Sequence, residues 1–598
     1  MKKHIVTILF LALAFPLWGE PVGVERAGEI ARAFFQNDRN VALRLAPIQS
    51  VERAAVPLTK AAPAEPAFHI FNRAGGGFVI IAADDACNPI LGYSFTHSFG
   101  LGPDMPAGLS EWLDDLEEQV AFARGSSVAE RQKALRKWDA VLVRTKAGED
   151  GYKPAVKHET AEWGQGEPFN NLAPVVDGSK AVAGCVPLAM SMLARFFTYP
   201  AAGSGTMPGY SYTTDSGASQ SIAGYELGAP YAWDKIKMSY AEEYTEEEAA
   251  AVAQLVYDCG VMAQAKYNSS TSANTFTMSS KAIEYLGYDP AAVGYYRGFF
   301  SDEQWLSMLQ KELQDHPMLY SAHRDGGGHS FLVDGYDERG FLSVNWGWNG
   351  KSNGYYALSA FSPSPERQYI HKHGAVFGLK PAAGGTPVPY LYLYKGTSSS
   401  GITFNGLEAQ GEIVPRHTFL MKVGGVCNGS NTTFDGQFIL ALTDAEGKIK
   451  DFVCGSQVVD PLEPQKWRGF TDVSCILNTY PAPGDEIRCF YHSTLWPEND
   501  WRPIYFDVTE GLVGAIPVYD NQTLAEATDF AYSKTIKSVT INTKDRVSWS
   551  LKSSTGAEVK DVVSYSGVQM IIDAGSLSGT YTLTLKRDDD QYSLTLKF

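Results

Sequence analysis

The sequence predicts an α+β chain of several domains, with helix and strand mixed in its first two thirds and β-structure alone in its last third. Three observations carry this. At 598 residues the chain is too long for one hydrophobic core. Helical and strand-like patterns succeed one another up to about residue 380. Beyond the Pro/Gly-rich stretch "LKPAAGGTPVPY" (379–390), only strand patterns separated by turn residues remain.

The first 20 residues, "MKKHIVTILFLALAFPLWGE", place Lys2 and Lys3 before an apolar run from Ile5 to Trp18. This is the layout of a signal peptide, set at residues 1–19. The run falls short of the roughly 20 residues that a spanning helix needs, and no later stretch is long and apolar enough to cross a bilayer. The expectation is a secreted or cell-surface protein with no integral membrane segment once the signal is removed.

Residues 20–150 read as one α+β region. It holds a helix over "VGVERAGEIARAFFQ", strands "FHIFNR" and "GFVIIAA" around "AGGG", and a helix over "LSEWLDDLEEQVAFAR". The polar stretch "VRTKAGEDGYKPAVKHE" that ends it reads as an exposed linker open to proteolytic nicking. Residues 151–380 are enriched in Gly, Trp and Tyr. Residues 388–517 read as a β-sandwich and 522–598 as a second, smaller β-domain.

The formal charge of −17 argues against a nucleic-acid partner, which needs a basic surface. Seven cysteines in an exported chain leave at least one thiol unpaired. Four of them, Cys427, Cys454, Cys475 and Cys489, lie close enough in sequence for one or two disulfides.

Cys185 has the most informative surroundings. In "AGCVPLAMSMLARFF", Ala189, Met192, Leu193, Phe196 and Phe197 fall at helical spacing. Pro187 belongs in a first helical turn, so Cys185 stands at the helix N-terminus. There the helix dipole favours a thiolate and lowers the thiol pKa. A buried core cysteine is the competing reading. A thiol nucleophile also needs a base and a group to orient it. His329, after three glycines in "RDGGGHSFLVDGYD", reads as an imidazole on a strand. In "FLSVNWGWNGKSNGYY", an Asn345 amide can orient that ring, and an indole at Trp346 or Trp348 can shield it from water. The Cys–His–Asn order, with 144 positions from Cys185 to His329 and 16 more to Asn345, is also that of papain-like thiol proteases. Gln165, in "EWGQGEPFN", can supply an oxyanion donor together with the Cys185 amide.

These stretches together resemble the streptopain family of bacterial cysteine peptidases, family C10. "FHIFNRAGGGFVIIAADDACNPILGYSFTHSF" and "MPAGLSEWLDDLEEQV" resemble that family's inhibitory propeptide. The resemblance covers about residues 20–380. It implies a zymogen: a propeptide over 20–150 that inhibits its own chain, then a papain-like, two-lobed catalytic domain over 151–380. It implies Cys185 as nucleophile, His329 as general base and Gln165 as oxyanion residue, with Trp346 packed by the histidine. Gly328, with Gly327, would line the substrate channel, and the loop 268–274 with Ser272 would help to shape it. The substrates would be proteins or peptides with an apolar residue at the second position before the cut. Nothing implies a metal or organic cofactor. Pro187 and Leu188 stand where small or polar residues are commoner in the family, and the last domain loosely resembles a sorting tail.

Two other classes remain open on sequence. One is a non-catalytic surface binding protein that works through its β-domains. The other is a thiol transferase of transglutaminase type, using Asp334 or Asp337 after the histidine.

Overall fold

The computed structural model describes residues 20–36, 48–51, 66–100, 105–123, 137–138, 152–324, 327–359, 372–479, 481–507, 511–518, 528–533, 537–543, 546–567, 569–587 and 590–598. The chain divides into two compact units, residues 1–388 and 389–598. The signal peptide and the first half of the expected linker lie outside the described residues. No helix among the described residues is long and apolar enough to cross a membrane.

The first unit is α+β. Its helices are α1 (Val24–Gln36), α2 (Ala107–Ala123), α3 (Cys185–Phe197), α4 (Glu246–Met262), α5 (Thr275–Leu286) and α6 (Asp302–Glu312). Its principal strands are β1 (Ile48–Val51), β2 (Phe68–Arg73), β3 (Phe78–Ala82), β4 (Ile90–Ser94), β5 (Pro154–Lys157), β6 (Val293–Tyr296), β7 (Met318–Arg324), β8 (Gly327–Asp337), β9 (Leu342–Asn345), β10 (Gly354–Tyr356) and β11 (Lys372–Phe377). They form one antiparallel sheet in the order β1-β2-β3-β4-β10-β9-β8-β7-β11-β6, with β5 added to β8.

Two features depart from the sequence reading. The N-terminal strands do not stand apart from the catalytic region: β4 joins β10 through Tyr93 opposite Tyr355 and Gly92 opposite Tyr356. The expected linker is partly a strand, since Pro154–Lys157 pairs with Gly335–Asp337. Its polar residues suit an exposed edge, which hydropathy alone cannot tell from a loop.

Side chains alternate across a strand, so β8 feeds two cores. Phe331 and Val333 enter one with Phe34, Trp112, Trp305 and Trp346, covered by α1, α2 and α6. Leu332 enters the other with Leu188, Met192, Val256 and Phe276, covered by α3, α4 and α5. Helix α3 lies deeper than its amphipathic pattern suggests: Cys185 to Ala194 are all buried, and Phe196 and Phe197 only partly. Both faces of its first turns meet protein. Helices α4 and α6 begin with capping boxes at Thr245 and Ser301. The Pro/Gly stretch after residue 379 is held to this unit, because the Asp289 carboxylate accepts from the Ala383 and Gly385 amides at 2.7 and 3.3 Å.

In the second unit the described residues form strands and turns with one 3-10 turn, Ala574–Ser576. Its strands include β12 (Thr418–Asn428), β13 (Phe434–Thr443), the short β14 (Ile449–Phe452), β15 (Trp467–Ile476) and β16 (Glu486–Ser493). β12 pairs with β15 in one sheet, and β13 lies between β14 and β16 in another. Strands between residues 528 and 597 enclose a separate core of Val539, Ile541, Leu551, Ile572, Leu583 and Leu585.

Candidate active site

Cys185 is the first residue of α3, and Gly184 caps the helix at φ 92°. A Cβ on Gly184 would sit 2.8 Å from Thr271 Cγ2, so both the backbone and the space require glycine here. Thr271 belongs to the loop 268–274, and its Oγ1 donates to the Val182 carbonyl at 2.7 Å. Ser272 beside it is exposed and exchanges backbone hydrogen bonds with Lys266. The Cys185 side chain is 6% exposed. Burial pushes its thiol pKa up, against the lowering effect of backbone N–H groups at Ser330, Val186 and Cys185. The expectation of a lowered thiol pKa is therefore corrected for this state: desolvation outweighs the helix terminus.

His329 lies on β8 opposite Ala322, two residues along the strand from Gly327. Gly327 and Gly328 pair with Arg324 and His323 at the start of this hairpin. A Cβ on Gly108, in the first turn of α2, would fall 2.9 Å from His329 Cδ2 and 3.1 Å from Phe331 Cδ1. The imidazole is thus packed against α2. Its Nε2 is buried with no hydrogen-bond partner. Burial pushes the His329 pKa down to about 4, opposed by the Glu111 carboxylate on α2. No hydrogen bond joins His329 to Cys185. The sulfur instead meets the Ser330 backbone N–H, one residue along the same strand.

Gln165 is positioned by its backbone: its carbonyl accepts from Ala183 N–H at 2.9 Å, two residues before Cys185. The segment is tied again at Trp163, whose carbonyl accepts from Asn349 N–H at 2.9 Å. The Gln165 side chain is partly exposed.

Asn345 and Trp346 part company. The Asn345 amide donates to Thr160 Oγ1 at 3.0 Å and to the Ala161 carbonyl at 2.9 Å, and its Oδ1 accepts from Gly347 N–H at 3.1 Å. Asn345 is therefore not placed to orient His329 here; it anchors the segment that leads to Gln165. Trp346 stands in the core that holds α2, with ring centroids 4.7 Å from Phe331 and 5.8 Å from Trp112. Its Nε1 donates to the Ser352 carbonyl at 3.1 Å. Trp348 is half-buried over Gly100, with the Lys351 ammonium 5.3 Å from its ring centroid.

Asp334 accepts from Thr160 Oγ1 at 2.7 Å and pairs with Lys157. Asp337 accepts from the Tyr93 hydroxyl at 2.7 Å and from two backbone amides. Neither bonds to His329, so the transglutaminase-type reading has no orienting carboxylate.

Sequence reasoning missed Gly108, Glu111 and Trp112 on α2, the Ser330 amide and Thr271. A glycine in a helical first turn was a visible signal for Gly108. Nothing in the sequence says that the surface it meets is an imidazole.

Residues 163–356 match the Peptidase C10 family and residues 19–120 match the Spi protease inhibitor. The chain carries a C10 cysteine-peptidase domain. Ahead of that C10 domain lies its inhibitor domain, and α2 falls within the inhibitor match. The thiol protease/hemagglutinin PrtT of Porphyromonas gingivalis is 28% identical over 419 residues, covering 66% of this chain and 46% of that protein. The chain thus spans about half the length of PrtT. Streptopain of Streptococcus pyogenes is 29% identical over 337 residues, covering 52% of this chain and 80% of streptopain. Among solved structures, a prointerpain A fragment of Prevotella intermedia is 25% identical, covers 57% of this chain and 99% of its own, and gives a TM-score of 0.43.

Proposed function

We propose that this chain is an exported zymogen of a cysteine endopeptidase, held inactive by α2 against His329. The observation that carries the reading is the split pair: Cys185 and His329 belong to touching elements, yet the imidazole is packed on an inhibitor-domain helix and the thiol on a backbone amide. With the imidazole neutral to about pH 4 and the thiol pKa raised, the docked state cannot hold a thiolate–imidazolium pair at neutral pH.

Release of residues 20–150 uncovers His329 and lets its ring turn to the sulfur. The ring takes the thiol proton, and the thiolate attacks a peptide carbonyl. The oxyanion is met by the Gln165 amide and the Cys185 N–H. His329 then protonates the leaving amine, and water, deprotonated by the same ring, releases the acyl-enzyme. Trp346 forms a wall beside the ring, and Gly327, Gly328, Trp348 and the 268–274 loop border the substrate channel. The substrates are proteins or peptides.

The test is maturation of the purified full chain. The parent protein is expected to cut itself between α2 and β5 and then hydrolyse peptides. Cys185→Ala is expected to do neither, yet to be cut at the same site when active parent protein is added. Self-cutting by pure Cys185→Ala protein, or peptide hydrolysis by it, overturns the proposal.

A further inference from the structure

The second unit gathers three of its four cysteines around Leu440. Cys489 lies opposite Leu440 in the β13–β16 pair. Cys475 faces inward from β15 and is 1% exposed. Cys454 follows β14, and its Sγ accepts from Leu440 N–H at 3.3 Å.

The backbone brings two of these three together. Val453 N–H donates to the Leu440 carbonyl at 2.9 Å, and the Val453 carbonyl accepts from Ile476 N–H at 2.7 Å. Val453 therefore bridges the two sheets, and the residue after it meets the residue before Ile476. Cys454 and Cys475 thus lie beside one another, each perturbing the other's thiol, while the Cys475 S–H donates to the Val473 carbonyl at 3.4 Å.

We propose that Cys454 and Cys475 form a disulfide that ties β14 to β15 in the exported protein. The timing rests on the export reading; the pairing rests on the geometry alone. All seven cysteines are free thiols in the structure, and Cys454 alone among them is partly exposed. It is the thiol that an external oxidant can reach. The neighbouring Cys475 thiol and the Leu440 N–H hold its pKa below the ordinary thiol range, while Cys454 and burial push that of Cys475 up. Cys454 is thus fitted to attack, and Cys475 to resolve, because its pKa is raised first by the Cys454 thiol, which the first step consumes. Cys489, fully buried and with its pKa far raised, is fitted for neither.

The oxidant is a donor disulfide, either glutathione disulfide or the disulfide of an extracytoplasmic oxidase. The Cys454 thiolate attacks one donor sulfur, the donor S–S bond breaks, and a donor thiolate leaves. The Cys475 thiol gives up its proton and attacks the Cys454 sulfur, releasing the second donor thiol. The chain loses two hydrogens, and the donor is reduced by two electrons.

Full-length Cys185→Ala protein, which does not cut itself, is treated while folded with glutathione disulfide, then denatured, alkylated, digested and read by mass spectrometry. The expected products are one peptide linking Cys454 to Cys475 and, of the six cysteines left in this variant, four that are alkylated. Cys475→Ser in the same background is expected to trap glutathione on Cys454, and Cys489→Ser to leave the link unchanged. Six alkylated cysteines, a link through Cys489 or Cys427, or a glutathione adduct that persists on Cys454 with Cys475 present overturns the pairing. A chain that links in this assay but accumulates in the cytoplasm with reduced thiols overturns the export reading and leaves the pairing standing.

Discussion

Gly108 has no side chain, and an imidazole occupies the place where one would go. Gly108→Leu must displace His329 or lift the first turn of α2, and overpacking of this kind costs about 1–3 kcal/mol. The proposed inhibited state should weaken by about tenfold, since each 1.4 kcal/mol is a tenfold change. Self-processing of the full chain, followed by gel, should speed up by that order; an unchanged rate would show that α2 does not restrain the histidine. Gln165 is argued at the same scale. Loss of an oxyanion donor costs roughly 10²–10³ in kcat, so mature Gln165→Ala enzyme should lose about that much with an unchanged melting temperature. The two residues differ in how readable they were. Gln165, Cys185 and His329 sit in recognisable strings with the order a thiol mechanism needs. Which side of β8 the imidazole takes is a matter of strand parity and of what covers each face, and no string records that. Asn345 shows the same limit, because its side chain follows Leu332's face of the sheet rather than Phe331's.

At the scale of the element, α2 carries buried Glu111, Asp115 and Gln119 in a row four residues apart. Gln119 donates to the Asp115 carboxylate at 2.7 Å, and His373 Nε2 lies 3.9 Å from it. Burial raises the Asp115 pKa from 3.8 to about 7, so docking of α2 weakens as pH rises across that window. His329 works in the opposite sense. Its pKa falls from 6.5 to about 4 on burial, so docking weakens as pH drops through that window. The two effects offset one another in the parent protein. Asp115→Asn removes one of them. In a Cys185→Ala background, hydrogen exchange of the α2 amides in this variant should accelerate as pH falls from 6.5 to 4, after correction for the intrinsic rate. One linked proton gives about tenfold per pH unit at its steepest. A flat profile would sink the histidine's part in docking. The helical period in "LSEWLDDLEEQV" was plain in the sequence, yet an acidic row reads there as a solvated face. Only the cover of β7, β8 and β11 explains why it is buried. For α3 the Pro187 position marked the start correctly, and its depth followed from neighbours far away in sequence.

At the scale of the molecule, eleven strands share one sheet, and four of them come from the N-terminal region. Their seam with the rest is a two-residue pairing at β4 and β10, backed by stacked Tyr93 and Tyr355 rings 5.1 Å apart. A chain begun at residue 152 would expose the β10 edge and the apolar face of Phe331, Trp346 and Tyr356 before folding is complete. Such edges and patches associate, so this shortened chain should give less soluble protein than the full chain under matched expression. Supplying residues 20–123 separately should restore part of the yield, and equal yields without that help would rule out an assembly role. The division near residue 388 was foreshadowed by Pro and Gly. The sharing of a sheet across the N-terminal boundary was not, because strand pairing between distant segments leaves no local mark.

The edge-on meeting of Trp112 and Trp346, both 1% exposed, also furnishes an optical clock. Departure of α2 hands both indoles to water, so tryptophan emission should shift to longer wavelength as the enzyme switches on. The unlabelled protein would then report its own activation in real time, ahead of any turnover of an added peptide.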